Sequence, residues 1–471
     1  RPGCSNRPQP VRNRVFTGGF MASVNTRKRA KTVKTAGGTN TFKVSDFESL
    51  QRTVLSCMLW EQSATEDGVA IAVRIRDLIA KCDPAAVGRL IVKTRTEYGL
   101  RHTPMYMMVC MASNRTLTSD VVANTITRPD DMCEFLALYW SVNPKDAPLA
   151  SAIKRGLATA FSKFDKYQLS KWAGGSKNVS LRDVMRLTHP KPPRGMKETY
   201  AALAAGTLSA PPTWETRLSA GESKNIVFTS LLEENKLGAT ALLYNLRNMV
   251  DAGVNRDLIA SAIQRMNPER VFPYQFIKAV KHAPSLRNAL DIGMINCLRQ
   301  YEKIKGKTVV VLDVSGSMHR PLTKGETTRL EAAAAIVAML SGVCEDFRFY
   351  FTAGSDSACK HDTAKAAIEP GLGVAEQCSK ASHLMGGGGI FLAQALDYVK
   401  AQEGYADRVV VITDEVDTDN KLSPDKAPAF GKSNYIINIA TDANGIAYNK
   451  FTHINGFSTG VIDFLIEAEK R

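Results

Sequence analysis

The chain has 471 residues, a formal net charge of +15 and 44% hydrophobic residues. That length exceeds one hydrophobic core and fits two or three domains. No run approaches the roughly 20 apolar residues of a membrane-spanning helix, and the N-terminus lacks the uninterrupted apolar core of a secretory signal. The charge is unevenly divided. Residues 301–471 hold 18 Lys+Arg against 22 Asp+Glu, a net of −4, so residues 1–300 hold 43 against 24, a net of +19. An excess of that size points to a polyanion, most often nucleic acid, with an anionic membrane surface as the alternative. The cysteines (4, 57, 82, 110, 133, 297, 344, 359 and 378) are scattered and odd in number. With no Cys-x-x-Cys and no His pair at ligand spacing, they argue against a disulfide framework or structural zinc and for a reducing cytosol.

In chain order, residues 1–42 read as a disordered basic extension, rich in Arg, Lys, Asn, Thr and Gly. Met21-Ala22-Ser23 is a candidate natural start, which would make residues 1–20 an upstream extension. Arg27–Lys31 forms a basic arm, either a solvated tail or a source of non-specific phosphate affinity. From 43 to 300 strand-like runs are rare and amphipathic segments recur. The spacing predicts helices over Phe47–Trp60, Asp67–Cys82, Thr103–Ala112, Met132–Tyr139, Ala147–Phe161, Ala239–Val250 and Asn255–Ile263. In the second of these, Val69, Val73, Ile75 and Ile79 fall near one face. Thr103–Ala112 is nearly all apolar and should lie between other helices. Such a succession predicts an α-solenoid, with a compact bundle as the alternative.

Two segments here carry more than packing. The first runs from Lys163 to Pro192. Ser180 is a good N-cap for a helix with Leu181, Val184, Met185 and Leu187 inward, and Arg182 and Arg186, four apart, share the opposite face. Pro190 and Pro192 end that helix beside His189 and Lys191. With Lys163, Lys166, Lys171 and Lys177 these residues form a dense basic set, and Tyr167 and Trp172 are placed to stack on bases. The alternative is a solvated charged face over core aromatics. The second segment, Glu97–Pro104, puts Arg101 and His102 just before the buried helix.

The region from 301 to 471 has a different pattern. Thr308–Leu312 is a β-branched run that reads as a strand buried on both faces, and it ends in Asp313-Val314-Ser315-Gly316-Ser317. A helix over Arg329–Val343, a strand over Phe347–Phe351, a helix over Ala393–Val399 and strands over Val409–Thr413 and Tyr435–Ala440 follow. This alternation implies a doubly wound parallel sheet, whose ligands bind beyond the carboxyl ends of the strands. Asp-x-Ser-x-Ser resembles the metal-ion-dependent adhesion site of von Willebrand factor A domains, and Asp414 stands where those domains place their other acid. The resemblance implies Asp313, Ser315, Ser317 and Asp414 as oxygen ligands of a divalent metal, Mg²⁺ first, that binds a partner without doing chemistry. It departs at Gly386–Leu392, where the family's metal-binding threonine aligns with Ile390.

The whole of 43–471 resembles the TROVE-domain family of Ro (SS-A) ribonucleoproteins and their bacterial relatives. The matching stretches are Gly99–Ala112, Tyr167–Lys191, Trp214-Glu215, Ala241–Met249 and Phe272–Ala279, followed in family order by Asp-x-Ser-x-Ser. The resemblance implies a ring of HEAT-like helical repeats (43–300) and an A-type domain (301–471). It implies Y-type RNA on a basic outer surface and single-stranded 3′ ends of misfolded non-coding RNA in a central hole. It further implies a cytoplasmic, monomeric, non-catalytic protein of RNA quality control, with an exoribonuclease as a possible partner. The family's Y RNA contacts fall on or near Lys166, Lys171 and His189, while Arg101, His102, Lys177, Arg182, Arg186 and Lys191 are added from charge and placement. An enzyme is disfavoured, since no Gly-x-Ser-x-Gly elbow or Walker loop is present. An adhesion scaffold that docks partners through the metal site is the rival reading, and it leaves the +19 region unexplained.

Overall fold

The structure, a computed structural model, describes residues 32–34, 38, 40–55, 68–144, 148–173, 178–209, 211, 213–267, 271, 273–299, 301–322, 327–369, 371–385, 388–419, 428–440, 445–446, 450–456, 461 and 465. The basic arm at 27–31, the candidate start at 21–23, Lys177, Gly386 and Gly387 lie outside them, as do the ends of some predicted helices.

Within the stretch expected to lack structure, β1 (Thr32–Lys34) and β2 (Asn40–Phe42) pair as an antiparallel hairpin. Thr41 is buried, and β-branched residues on both arms favour the pairing. The first helices are α1 (Asp46–Leu55), α2 (Gly68–Ile79), α3 (Pro84–Thr96), α4 (His102–Ser113), α5 (Ser119–Thr125), α6 (Pro129–Val142), α7 (Ser151–Phe161), α8 (Lys166–Lys171), α9 (Leu181–Thr188) and α10 (Lys197–Ala205). Contacts join α2 to α4, α3 to α5, α4 to α6, α5 to α7 and α7 to α9, so most of these helices touch the one two places on, while α6 reaches past α8 to α9. That is the stacking of a two-layered helical solenoid. Gly156 of α7 lets it approach α5, for a Cβ there would lie 2.5 Å from the Val122 Cβ. α4 is buried almost all round, as expected.

The expected inner face of α2 is corrected. Val69 and Val73 are exposed, and Ile71, Ala72, Ile75, Leu78 and Ile79 are buried. The helix offers two apolar stripes, and contact with α1 and α4 selects one.

A second helical group follows: α11 (Trp214–Ser219), α12 (Lys224–Glu233), α13 (Ala239–Tyr244), α14 (Leu246–Asp251), α15 (Arg256–Arg265), α16 (Pro273–His282) and α17 (Arg287–Leu298). The single helix expected over 239–250 breaks at Asn245, whose side-chain amide donates to the Ala241 carbonyl at 2.9 Å.

The C-terminal region comprises β3 (Ile304–Asp313), α18 (Arg329–Val343), β4 (Cys344–Ser355), β5 (Lys360–Lys365), α19 (Gly373–Leu384), α20 (Leu392–Glu403), β6 (Ala406–Thr413), β7 (Gly431–Asn438) and β8 (Thr452–Asn455). The sheet order is β5-β4-β3-β6-β7-β8, with only β5 antiparallel to its neighbour. From β3 the chain winds outward through β4 and β5, then restarts on the other side with β6, so β3 and β6 flank the topological switch point.

The apolar interior is divided. One core spans Leu50 to Leu203 within α1–α10. A separate one runs from Phe228 to Leu465 and includes α18 and one face of the sheet. Helix α18, rich in alanine and buried along its length, lies against β3 and β4 while touching α16, α17 and α19. Its small side chains let helix and sheet share that core. At the other end of the chain α1 packs against β8, so the helical-repeat domain closes as a ring through the doubly wound A-type sheet. Gly456, at φ +108°, admits the approach, since a Cβ there would sit 3.0 Å from the Leu55 carbonyl. Buried Arg52 of α1 forms an ion pair with buried Glu415, which follows β6.

Candidate nucleic-acid interface and strand-end acid site

Helix α9 follows its sequence closely. The Ser180 hydroxyl accepts from the Asp183 backbone N–H at 3.2 Å, and the Asp183 carboxylate accepts from the Ser180 N–H at 2.9 Å. This reciprocal cap holds the Asp183 carboxyl below its ordinary value. Leu181, Val184 and Met185 are buried, and Leu187 is half-buried. His189 ends the helix at φ +46°, in the left-handed region, with its N–H donating to Met185 at 2.9 Å. That turn sets the imidazole outward, and Arg186, His189 and Lys191 are all exposed. Arg182 is different. It is half-buried, its Nε is shielded without a hydrogen-bond partner, and its guanidinium lies over Gly206 at the end of α10.

Helix α8 borders the space between the two helical groups. A groove of about 950 Å³ is lined by Arg128, Tyr167 and Lys171 on one side and by Trp214, Glu215 and Lys236 on the other. Tyr167 is 55% exposed. Lys171 lies 3.5 Å from Glu215 and 5.7 Å from the centre of the Trp172 ring. Trp172 is less available than expected, because the Arg128 guanidinium stacks 4.4 Å above its ring. Lys166 is exposed. Lys163 instead donates to the carbonyls of Ala123 and Ile126, capping the end of α5.

Arg101 and His102 sit in an internal charge network. Arg101 reaches Asp130 at 2.6 Å, Asp131 at 3.2 Å and Glu134 at 2.8 Å, and His102 pairs with Glu134. Arg95 also meets Asp131 at 2.9 Å. Burial works against ionisation of Glu134, but His102 and Arg101 outweigh it and lower its pKa. Arg101 and His102 therefore pin α4 to α6. Arg128, which joins this network and lines the groove, was missed by sequence reasoning. Its only signal was its place directly before Pro129, at a helix start.

At the switch point, the fully buried Asp313 carboxylate accepts from the Ser315 N–H at 2.8 Å and the Thr413 hydroxyl at 2.7 Å. The Ser315 and Ser317 hydroxyls lie 3.2 Å apart. Buried Asp414 accepts from the Arg329 guanidinium at 2.6 Å and the Val416 N–H at 3.2 Å. Arg329 thus balances Asp414, while Asp313 has only neutral donors. Burial, with Asp414 beside it, pushes the Asp313 carboxyl up to about 7. Two acids, two hydroxyls and one internal cation leave the site one positive charge short. This donor chemistry fits a hard, partly hydrated divalent cation. Ile390 is fully buried and contributes no oxygen from its side chain. Among the described residues, no three His, Cys, Asp or Glu side chains cluster as metal ligands. No helix of the described residues is long and apolar enough to cross a membrane.

A helical-repeat domain closed on an A-type sheet, with an acid-and-hydroxyl site at the switch point, defines the class. Residues 200–336 match the family model of the TROVE domain. The match begins in α10 and ends in α18, so it covers most of the helical part of the shared core. Among solved structures the chain is similar to the Deinococcus radiodurans RO (RSR) protein, with a TM-score of 0.55 and 18% identity over 89% of this chain and 98% of that one. At that identity the likeness is one of fold. No curated protein sequence matches the chain.

Proposed function

We propose that the chain is an RNA-binding protein of a Ro-type ribonucleoprotein. The observation that carries this reading is the exposed basic end of α9, with Arg186, His189 and Lys191 facing outward, on a region whose net charge is +19. The A-form major groove is too narrow for side chains, so such a surface reads phosphates, shape and unpaired nucleotides. Lys166, Lys171 and Tyr167 extend it into the groove between the helical groups. On this reading Y-type RNA binds the outer surface, and misfolded non-coding RNA offers its single-stranded 3′ end to the ring. The protein acts as a monomer in cytoplasmic RNA quality control, without catalysing a reaction. The A-type domain docks a protein partner such as an exoribonuclease. A divalent ion, Mg²⁺ first, would be held by Asp313, Ser315 and Ser317 with Asp414 beside them, and would supply a charge for a partner's carboxylate.

The test is to purify the chain without stripping nucleic acid and sequence what comes with it, then titrate a 3′-tailed hairpin. A small set of structured RNAs is expected. Binding should weaken steeply with salt, each phosphate contact adding about 0.9 to the log–log slope. Arg186→Glu with Lys191→Glu should cut affinity about tenfold or more at low salt and reduce that slope. Absence of bound RNA together with salt-independent titration would overturn the reading. Partner capture abolished by chelator would then favour the adhesion scaffold, for which the Asp313 site is the supporting observation.

A further inference from the structure

The sequence stretches 241–249 and 272–279 have no role in the interface described above, yet they meet. Where α13 and α14 cross α16, they enclose a separate cavity of about 280 Å³. Tyr244, Arg247 and Asn248 line it from one side, and Gln275, Lys278 and His282 from the other. The break at Asn245 makes this possible. It turns the chain between Tyr244 and Arg247, and the Asn248 amide is steadied by donating to the Asn245 side-chain oxygen at 3.1 Å. On α16, Gln275, Lys278 and His282 follow helical spacing and share a face.

We infer that this cavity is a single-nucleotide pocket. It combines an aromatic ring that is 54% exposed, two amide side chains of the kind that read base edges, and three basic residues, with no carboxylate among the described residues of its lining. Arg247 lies 3.7 Å from Asp251, and both are largely exposed, so water screens that pair. Ligand cavities run from roughly 300 Å³ upward, so this one admits one base with its phosphate and no more. The apolar floor and the ring suit the face of a base, the amides its edge, and the cations its phosphate. The pocket lies wholly inside the matched residues 200–336, whereas α8 and α9 lie outside them. This inference rests on the RNA-binding reading and adds a second, base-contacting site to the phosphate-directed one.

The experiment compares a hairpin carrying a single-stranded 3′ tail with the same hairpin blunt-ended. Binding is measured for the wild-type chain, Tyr244→Ala, Tyr244→Phe, Lys278→Ala and Arg186→Glu. Tyr244→Ala should lose about tenfold in affinity for the tailed RNA, the loss of one stacked base, and keep the blunt one. Tyr244→Phe should retain both, since stacking does not need the hydroxyl. Arg186→Glu should weaken both RNAs alike. Melting temperatures matching wild type exclude misfolding, because Tyr244 and Lys278 are not fully buried. Free AMP or UMP that protects Tyr244 from modification would assign the pocket to a free nucleotide. Protection only by the tailed RNA would assign it to a nucleotide within the chain. Equal binding of tailed RNA by wild type and Tyr244→Ala, with no protection by either ligand, overturns the pocket. Failure of wild type to bind any RNA overturns the RNA-binding reading itself.

Discussion

The first helical group and the second differ in what stabilises them. Helices α1–α10 have a core of their own, whereas α12–α17 share theirs with α18 and the sheet. The first group offers the basic end of α9 and meets the sheet domain through α1. The second is built into the sheet domain and holds the pocket under Tyr244. A boundary at residue 300 therefore marks a change of sequence texture but not a change of core. The groove lined by Tyr167 and Trp214 follows the real division.

The sharpest way to break this division is at Arg52. Removing its charge with Arg52→Met leaves Glu415 buried without its ion-pair partner, with His453 at 3.7 Å, and should cost about 3–5 kcal/mol. Hydrogen exchange should then show α1 released from β8 while α12–α18 stay protected. Protection unchanged in α1 would mean that apolar contact, rather than the ion pair, closes the ring.

Acid should separate the regions next. Burial alone would raise the Glu403 pKa, but Lys307, Lys365 and Tyr350 all bond its carboxylate and bring it down to about 2. A depressed folded-state value gives stability that is fully present above the ordinary glutamate value of 4.5 and is lost as pH falls toward 2. In that window the sheet region should lose stability, on the order of 1–2 kcal/mol once water screening of the exposed Lys365 side of the cluster is discounted, and Glu403→Gln should remove this pH dependence. The measurement is denaturant unfolding against pH, followed by the near-ultraviolet signal of the sheet aromatics. A wild-type slope surviving in the Gln variant would place the titration elsewhere.

A smaller pair of changes compares the two cores directly. A methyl group at Gly156 meets Val122 in the first core, and one at Gly293 meets Ile263 at 2.8 Å in the second. Gly156→Ala and Gly293→Ala should each cost about 1–3 kcal/mol by overpacking. Calorimetry should show the first lowering one transition and the second another. A single transition moved equally by both would show that the two cores unfold as one.

Much of the sheet region was legible from sequence, because its strands are continuous β-branched runs and its helices lie between them. The predicted helix over Arg329–Val343 coincides with α18. The N-cap at Ser180 was equally legible, since a capping box is a local hydrogen-bond pattern. The inner face of α2 was not, because two apolar stripes compete on one short helix. Nor was the fate of the cations. Exposed Arg186 and Lys191 and the ion-paired Arg101 carry the same charge, and only their neighbours distinguish them. The sequence by itself determined the change from helical to strand-and-helix texture, the switch-point acids and the uneven charge, because these follow from residues close together in the chain. The tertiary structure decided which cores are shared, that Arg52 closes the ring on Glu415, and that two stretches some 30 residues apart line one pocket. Those outcomes depend on contacts between distant segments, which no local periodicity encodes.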